Sequence, residues 1–453
     1  MIVGAGTGNA LLAPEMTDWR IAIIEPGPFG GTCLNRGCIP SKMLVHTADI
    51  VETVRTAGRF GVDARLGGVR MDDVARRVFG RIDPVAAGGA AHRRSSSNIT
   101  VFAGAGRFVG PKTLEVDGQR LSGERVVLAA GARPALPAIP GLDGVAFETS
   151  DTILRAERAP GRLVVLGGGF IAAELGHVFE AFGSAVTIVN RGAGLLERED
   201  AEVSRRFTEL AAQRFELLLE TRVEQVEPAG DGVVLHVVTP GGPRRVEADT
   251  LLVATGRIPN GDRLDAGLGG VELDGGRVRV DGFGRTTAPG VWAVGDIVGR
   301  HQLKHMANCD GRVIRHNLVH PDDLHPLERR PAPHAVFSSP QIGAVGLTEA
   351  EAVLAGVPFV TVVHPYADAA YGWALEDRSS FVKLLGDPTT GLLVGAHLIG
   401  PEAATLIQLL VQGMHLGATV DQLARDQIYV HPALSEVVEQ ALLKLSEAMA
   451  AAR

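Results

Sequence analysis

The sequence predicts an α/β protein made of two parallel-sheet units and a C-terminal α+β module, and three observations carry that prediction. A short apolar segment runs into a glycine turn at Gly4 and Gly6, and the pattern returns where residues 163–166 meet Gly167-Gly168-Gly169. Each turn leads through a helix-compatible stretch to a second apolar segment, Ile21–Ile24 in the first copy and Ala185–Val189 in the second. Beyond residue 331 such turns cease, and short apolar strands precede two closing helical stretches. A strand, a glycine turn and a helix N-terminus together hold a pyrophosphate, so both copies are expected to be Rossmann-like dinucleotide-binding domains. The duplication strengthens the reading, because two independent patterns would both have to mislead.

Composition fits this scheme. A chain of 453 residues is long enough for several domains with their own cores. Its 57 glycines exceed the usual share of about 7% and cluster at strand ends. The net charge of -8 gives no reason to expect nucleic acid or an anionic membrane as partner. Arginines at 76, 77, 81, 93 and 94 read as solvated helix faces. No apolar run reaches the roughly 18 residues of a membrane span, and no secretory signal pattern is present, so the cytoplasm is the expected compartment. Three cysteines cannot form a structural disulfide framework.

In the first unit Gly4 makes the tight turn, Gly6 lets a pyrophosphate approach, and Glu25 ends the second strand where a ribose hydroxyl would be accepted. Asn9 occupies the third glycine position. Only three residues precede Gly4, fewer than the roughly 5 to 6 of a mean strand, so a clipped first strand is expected. Residues 30–42 then place Cys33 and Cys38 behind Gly30 and Gly31. On a regular helix that spacing rises about 7.5 Å, beyond the roughly 7 Å that a disulfide spans, so the segment must turn or distort, and Gly37 permits it. The spacing alone is compatible with a redox pair, with two buried thiols that never meet, or with half of a metal site. Metal is the weakest of these, since neither C-x-x-C spacing nor a second Cys/His cluster accompanies the pair.

Residues 44–60 and 72–97 are helix-compatible, the second capped or interrupted near Asp83-Pro84. Strands are expected at Ile99–Phe102, Thr113–Val116 and 125–130, and the apolar stretch 126–134 could return the chain to the first nucleotide site. The proline-rich residues 134–141 mark a boundary. In the second unit Asn190-Arg191 stands where an NAD site usually has an acid, and an arginine there can pair with a 2′-phosphate. The stretch 251–260 echoes 126–134, and 291–296 delivers Asp296 at a strand's C-terminal end. Cys309, on the helical stretch 303–318, reads as a small core residue. Strands follow at 335–337, 359–363, 381–385 and Leu393–Ile399, with helices at about 402–416 and from 432 onward. His431-Pro432 puts an imidazole at a helix start, with Glu436 close behind.

The ordered set G-x-G, C-x-x-x-x-C, G-x-G-x-x-A, A-T-G-R, V-G-D and H-P-x-x-S-E spans nearly the whole chain. It resembles the class I pyridine nucleotide-disulfide oxidoreductases, the family that includes glutathione reductase and lipoamide dehydrogenase. Residues 77–84, 303–308, 371–377 and 427–436 are most similar to its mycothione-reducing branch. The resemblance implies an FAD-binding domain over 1–145, an NADPH-binding domain over 146–262, a segment 263–330 completing the FAD region, and a dimerisation domain over 331–453. Gly4, Gly6, Glu25, Gly31, Thr32, Gly131 and Asp296 would hold FAD, with Lys42 beside the flavin and paired with Glu174. Gly167, Gly169, Phe170, Ile171, Arg191 and Gly256 would hold NADPH. Phe170 falls where many members have a gating tyrosine, and Glu197 where a second phosphate-binding arginine is usual.

The same resemblance implies a Cys33–Cys38 redox disulfide. Cys38 would be the flavin-side thiolate and Cys33 the thiol that attacks substrate. His431, oriented by Glu436, would serve as acid and base for the other subunit of a homodimer. The implied reaction is NADPH-dependent reduction of a low-molecular-weight disulfide, mycothione. Glutathione reductase and lipoamide dehydrogenase are the rival activities, and a nucleotide-binding scaffold that has lost catalysis is the non-enzymatic alternative.

Overall fold

The computed structural model describes residues 1–299, 301–328 and 330–452. The first sheet is parallel, in the order Val291–Ala293, Val126–Leu128, Ile2–Val3, Ile21–Ile24, Ile99–Phe102. The second repeats the arrangement as Glu216–Leu218, Ala185–Val189, Arg162–Leu166, Thr250–Val253, Glu148–Thr149. The inner strands of both sheets are rich in Val, Ile and Leu because parallel sheets are covered on both faces. The first strand is only two residues long, yet it pairs on both sides, Ile2 with Ile23 and Val127.

Two short antiparallel strands, Ala132–Pro134 and Arg257–Pro259, join the ends of the echoing stretches and tie the two units together. Val291–Ala293 closes the first sheet from the far side of the second unit. The C-terminal module is a five-stranded antiparallel sheet in the order His334–Val336, Ile342–Gly346, Leu393–Ile399, Phe381–Gly386, Val360–Pro365. Helices Ala403–Leu416 and Ser435–Ala451 pack on it.

Local features differ from the sequence reading. The first glycine turn leads into short 3-10 turns, Thr7–Leu11 and Pro14–Met16, because proline cannot continue a helix in the middle. Helix Met71–Ser95 runs unbroken through Pro84, since Val78, Phe79, Ile82, Ala86 and Ala90 form a continuous buried face that outweighs the lost hydrogen bond. A three-stranded ribbon, Arg222–Ala229, Gly232–Thr239 and Gly242–Ala248, was not anticipated from the sequence.

The core that positions the site lies between units. Leu44, Val45, Ala48 and Val51, on the helix that starts at Cys38, pack with Val178 and Phe179 of the second unit and with Val336 and Phe381 of the C-terminal module. Complete burial of side chains such as Val178 or Phe179 stabilises by roughly 1.5–3 kcal/mol each, so this seam fixes the cysteine helix against both neighbours. Among the described residues, no helix is long and apolar enough to cross a membrane.

Candidate active site

The cysteine segment is two helices with a break between them. Gly31–Arg36 carries Cys33, and Cys38–Thr56 begins at Cys38 itself. Gly37 is the hinge: a Cβ there would lie 3.0 Å from the Thr32 carbonyl oxygen and 3.1 Å from its methyl. The break brings the thiols together. Cys33 is half-buried and Cys38 exposed, and the two thiols share a hydrogen bond. That bond lowers the Cys38 pKa to about 7; burial opposes the shift and the Lys42 charge assists it. Cys33 is pushed strongly upward, first by the same hydrogen bond and then by burial. Of the two, Cys38 is the one whose thiolate is favoured, and the pair is a dithiol able to close into a disulfide.

Beside Cys38, Lys42 Nζ lies 2.6 Å from Glu174 Oε2, so the expected pair forms across 132 positions of sequence. Glu174 is buried, and its other oxygen accepts from the backbone N–H of Phe337 at 2.9 Å. The Phe337 ring centroid is 4.6 Å from Lys42 Nζ. The sequence reading missed Phe337, which lies outside every motif; it follows the strand His334–Val336 of the C-terminal module.

The first nucleotide site fits FAD on three counts. Gly4 has φ +103, and a Cβ on it would meet the Ala129 carbonyl oxygen at 2.3 Å; one on Gly31 would meet Gly6 Cα at 2.7 Å. Only bare glycine backbone leaves this floor open. Glu25 accepts from Ala5 N at 2.7 Å and Gly27 N at 2.8 Å, and it borders a cavity of about 340 Å³ lined also by Pro28, Ala87 and Arg94. The Asp296 carboxylate has no hydrogen-bond or ion-pair partner among the described residues, and burial pushes its pKa up against the pull of Arg257 and Lys304. A carboxylate so placed lacks a hydroxyl donor, which a ribityl chain would supply. Gly131 has φ +67 with open space where a Cβ would be, and Thr32 is half-buried near the cysteines.

In the second site, Gly167 has φ +123 and a Cβ would meet Ala254 O at 2.5 Å, whereas Gly169 and Gly256 face open space. Phe170 is 52% exposed at the start of helix Phe170–Ala181, with half-buried Ile171 next to it. Arg191 is exposed and makes no ion pair among the described residues. Glu197 is folded back on the same loop, where its Oε1 accepts from Gly194 N at 3.2 Å.

His431 Nδ1 is 2.7 Å from Glu436 Oε1, and Glu436 Oε2 accepts from Ala433 N at 3.1 Å. The hydrogen bond from His431 and that backbone bond hold the Glu436 pKa below the usual range. His431 is exposed and, among the described residues, joined by hydrogen bond or ion pair to Glu436 alone. The structure thus brings Cys33, Cys38, Lys42 and Glu174 together but leaves His431 facing outward. Near it, Ile428 is 99% and Val430 70% exposed. His316 Nε2 and His325 Nε2 lie 3.5 and 3.7 Å from Asp323 Oδ2, and the two imidazoles stack at 3.8 Å and 17°, a surface cluster whose ligand atoms lie within 4.8 Å of one another.

A dithiol between two glycine-floored nucleotide sites defines a class of redox protein, and the chain belongs to the pyridine nucleotide-disulphide oxidoreductase family: residues 1–311 match that family and residues 332–442 its dimerisation domain. A mycothione reductase of Mycobacterium tuberculosis (strain ATCC 25618 / H37Rv) is 46% identical over 98% of both chains. A dihydrolipoyl dehydrogenase of Vibrio cholerae is 32% identical, covering 97% of this chain and 93% of the relative. The solved HOCl-induced flavoprotein disulfide reductase RclA of Escherichia coli superposes with a TM-score of 0.85 at 28% identity over 98% of both chains.

Proposed function

We propose that the protein is an NADPH-dependent flavoprotein disulfide reductase that converts mycothione to mycothiol through FAD and the Cys33–Cys38 pair. The observation that carries this reading is geometric: the helix break at Gly37 brings Cys33 and Cys38 together, with the Lys42–Glu174 pair beside them. The identity of 46% to a mycothione reductase supports the choice of disulfide. Residues 1–145 and 263–330 form the FAD-binding region, 146–262 the NADPH-binding domain and 331–453 the pairing module. The cytoplasm, where thiols are kept reduced, is the compartment that suits a catalytic dithiol.

Bound FAD supplies the two-electron link between nicotinamide and sulfur. The chain's own residues do the remainder. Glycines 4, 6 and 31 would admit the cofactor backbone, Glu25 and Asp296 would accept its hydroxyls, and Arg191 would meet the 2′-phosphate of NADPH. In the dithiol state the Cys33 proton passes to His431 of the second copy, whose imidazolium Glu436 stabilises. Cys33 attacks one sulfur of the substrate; the substrate S–S bond breaks, and the departing thiolate takes the proton from His431. Cys38 then attacks Cys33, releasing the second substrate thiolate and re-forming the Cys33–Cys38 bond, which balances the two electrons received.

The test is NADPH consumption by the FAD-saturated protein with mycothione, glutathione disulfide or lipoamide, each repeated with NADH. Strong preference for mycothione with NADPH is expected. Preference for lipoamide with NADH would keep the dithiol chemistry and overturn substrate and coenzyme together.

A further inference from the structure

Three separated parts of the chain meet beside the thiolate. Lys42 lies on the cysteine helix, Glu174 on the helix of the second nucleotide site, and Phe337 in the C-terminal module. The two charges act on Cys38 in opposite senses: Lys42 favours the thiolate and Glu174 disfavours it. What Cys38 experiences therefore depends on where each charge is held. Phe337 touches both. Its N–H donates to Glu174 Oε1 at 2.9 Å, on the far side of the carboxylate from Lys42, and its ring lies 4.6 Å from the Lys42 ammonium. The face of an aromatic ring is negative and attracts a cation, so Lys42 is held between a carboxylate oxygen and a ring. Lys42 Nζ also donates to Ser41 Oγ, but at 3.3 Å against 2.6 Å to Glu174; without the ring, a lysine on four rotatable carbons would be held mainly by Glu174 and free to follow it away from the sulfur.

We propose that Phe337 is a positioning residue for the redox site: its ring holds the Lys42 ammonium in place and its amide holds Glu174, so the C-terminal module sets the charge beside Cys38. This rests on the dithiol reading above and adds a residue that acts through Lys42 without touching the reacting sulfurs. The ring and the amide are separable by experiment. Every substitution at 337 other than proline keeps the N–H; only aromatic ones keep the ring face.

The measurement is the pH dependence of the thiolate-to-flavin absorbance in the NADPH-reduced holoenzyme, for the unaltered protein and for F337L, F337Y and F337W. F337L keeps an apolar side chain of similar bulk but loses the ring, and its absorbance should be half-lost at a pH higher by roughly half a unit. F337Y and F337W should stay near the unaltered profile. A profile for F337L that coincides with the unaltered one, or aromatic variants that shift as far as F337L, would overturn the proposal and leave Phe337 as packing. If F337L does not fold, F337M replaces it in the same comparison. The underlying reading fails separately: unaltered protein that takes up FAD but shows no NADPH-driven opening of a Cys33–Cys38 bond would sink it whatever the variants do.

Discussion

His431 and Cys38 are residues whose chemistry can be separated by half-reaction. His431→Ala should leave flavin reduction by NADPH nearly intact while disulfide turnover falls by about 10²–10⁴-fold, the usual range for losing a positioned acid and base; equal losses in both steps would remove the assigned role. For Cys38 the sign follows from a pKa lowered from 9.0 to about 7. Its thiolate is present above that pH and disappears as the pH falls through it, and Lys42→Met should move the transition upward by removing a charge that favours the thiolate. Absorbance of the reduced holoenzyme across pH measures both. Cys33, Cys38, His431 and Glu436 were singled out through the ordered motifs that resemble the family, since the cysteine spacing alone left three readings open. Phe337 was not, because it contributes a backbone N–H and a ring face, and neither has a spacing to read.

Among the elements, the break at Gly37 decides whether the thiols meet. Gly37→Ala places a methyl 3.0 Å from the Thr32 carbonyl, a contact that must be relieved by moving one helix or the other. We expect a loss of about 1–3 kcal/mol in denaturant unfolding and slower closure of the disulfide by oxidant. Normal stability with normal closure would show that the break does not depend on glycine. The need for a distortion could be read from the cysteine spacing, and both glycine turns with their flanking strands could be read from apolar runs and φ-permissive residues. Strand Ile342–Gly346 and the ribbon 222–248 escaped notice. The first is a short, glycine-interrupted run, and the ribbon's outer strands carry Glu, Arg and Gln among their apolar residues, whereas its middle strand Gly232–Thr239 is an apolar run that could have been read. At Pro84 local propensity pointed the wrong way, because the buried face of the helix reaches well to either side of it.

For the whole molecule, the outward-facing His431 and its exposed neighbours Ile428 and Val430 make sense as half of an interface. Mixing H431A with C33S in denaturant and refolding them together should restore disulfide turnover, since one hybrid site has an intact cysteine pair and a histidine from the other copy. Restoration is the mark of a shared site; inactivity of verified hybrids would place His431 within its own chain. The distribution of the site also explains the reach of the sequence reading. Lys42 and Glu174 were paired by resemblance, but the third member of that contact is supplied by a module that carries no nucleotide motif.

The position of Val291–Ala293 in the first sheet bears on how the chain is made. Val126–Leu128 can pair with Ile2–Val3 once both have left the ribosome, but its other neighbour, Val291–Ala293, is available only after residue 293 emerges. At about 5–20 residues per second that wait lasts roughly ten to thirty seconds. Throughout it a nascent sheet of apolar strands presents an unpaired edge, while the second nucleotide unit is synthesised as an insertion within the first. The nascent chain is therefore most exposed to mispairing and to chaperones during the interval in which its second unit is already able to fold.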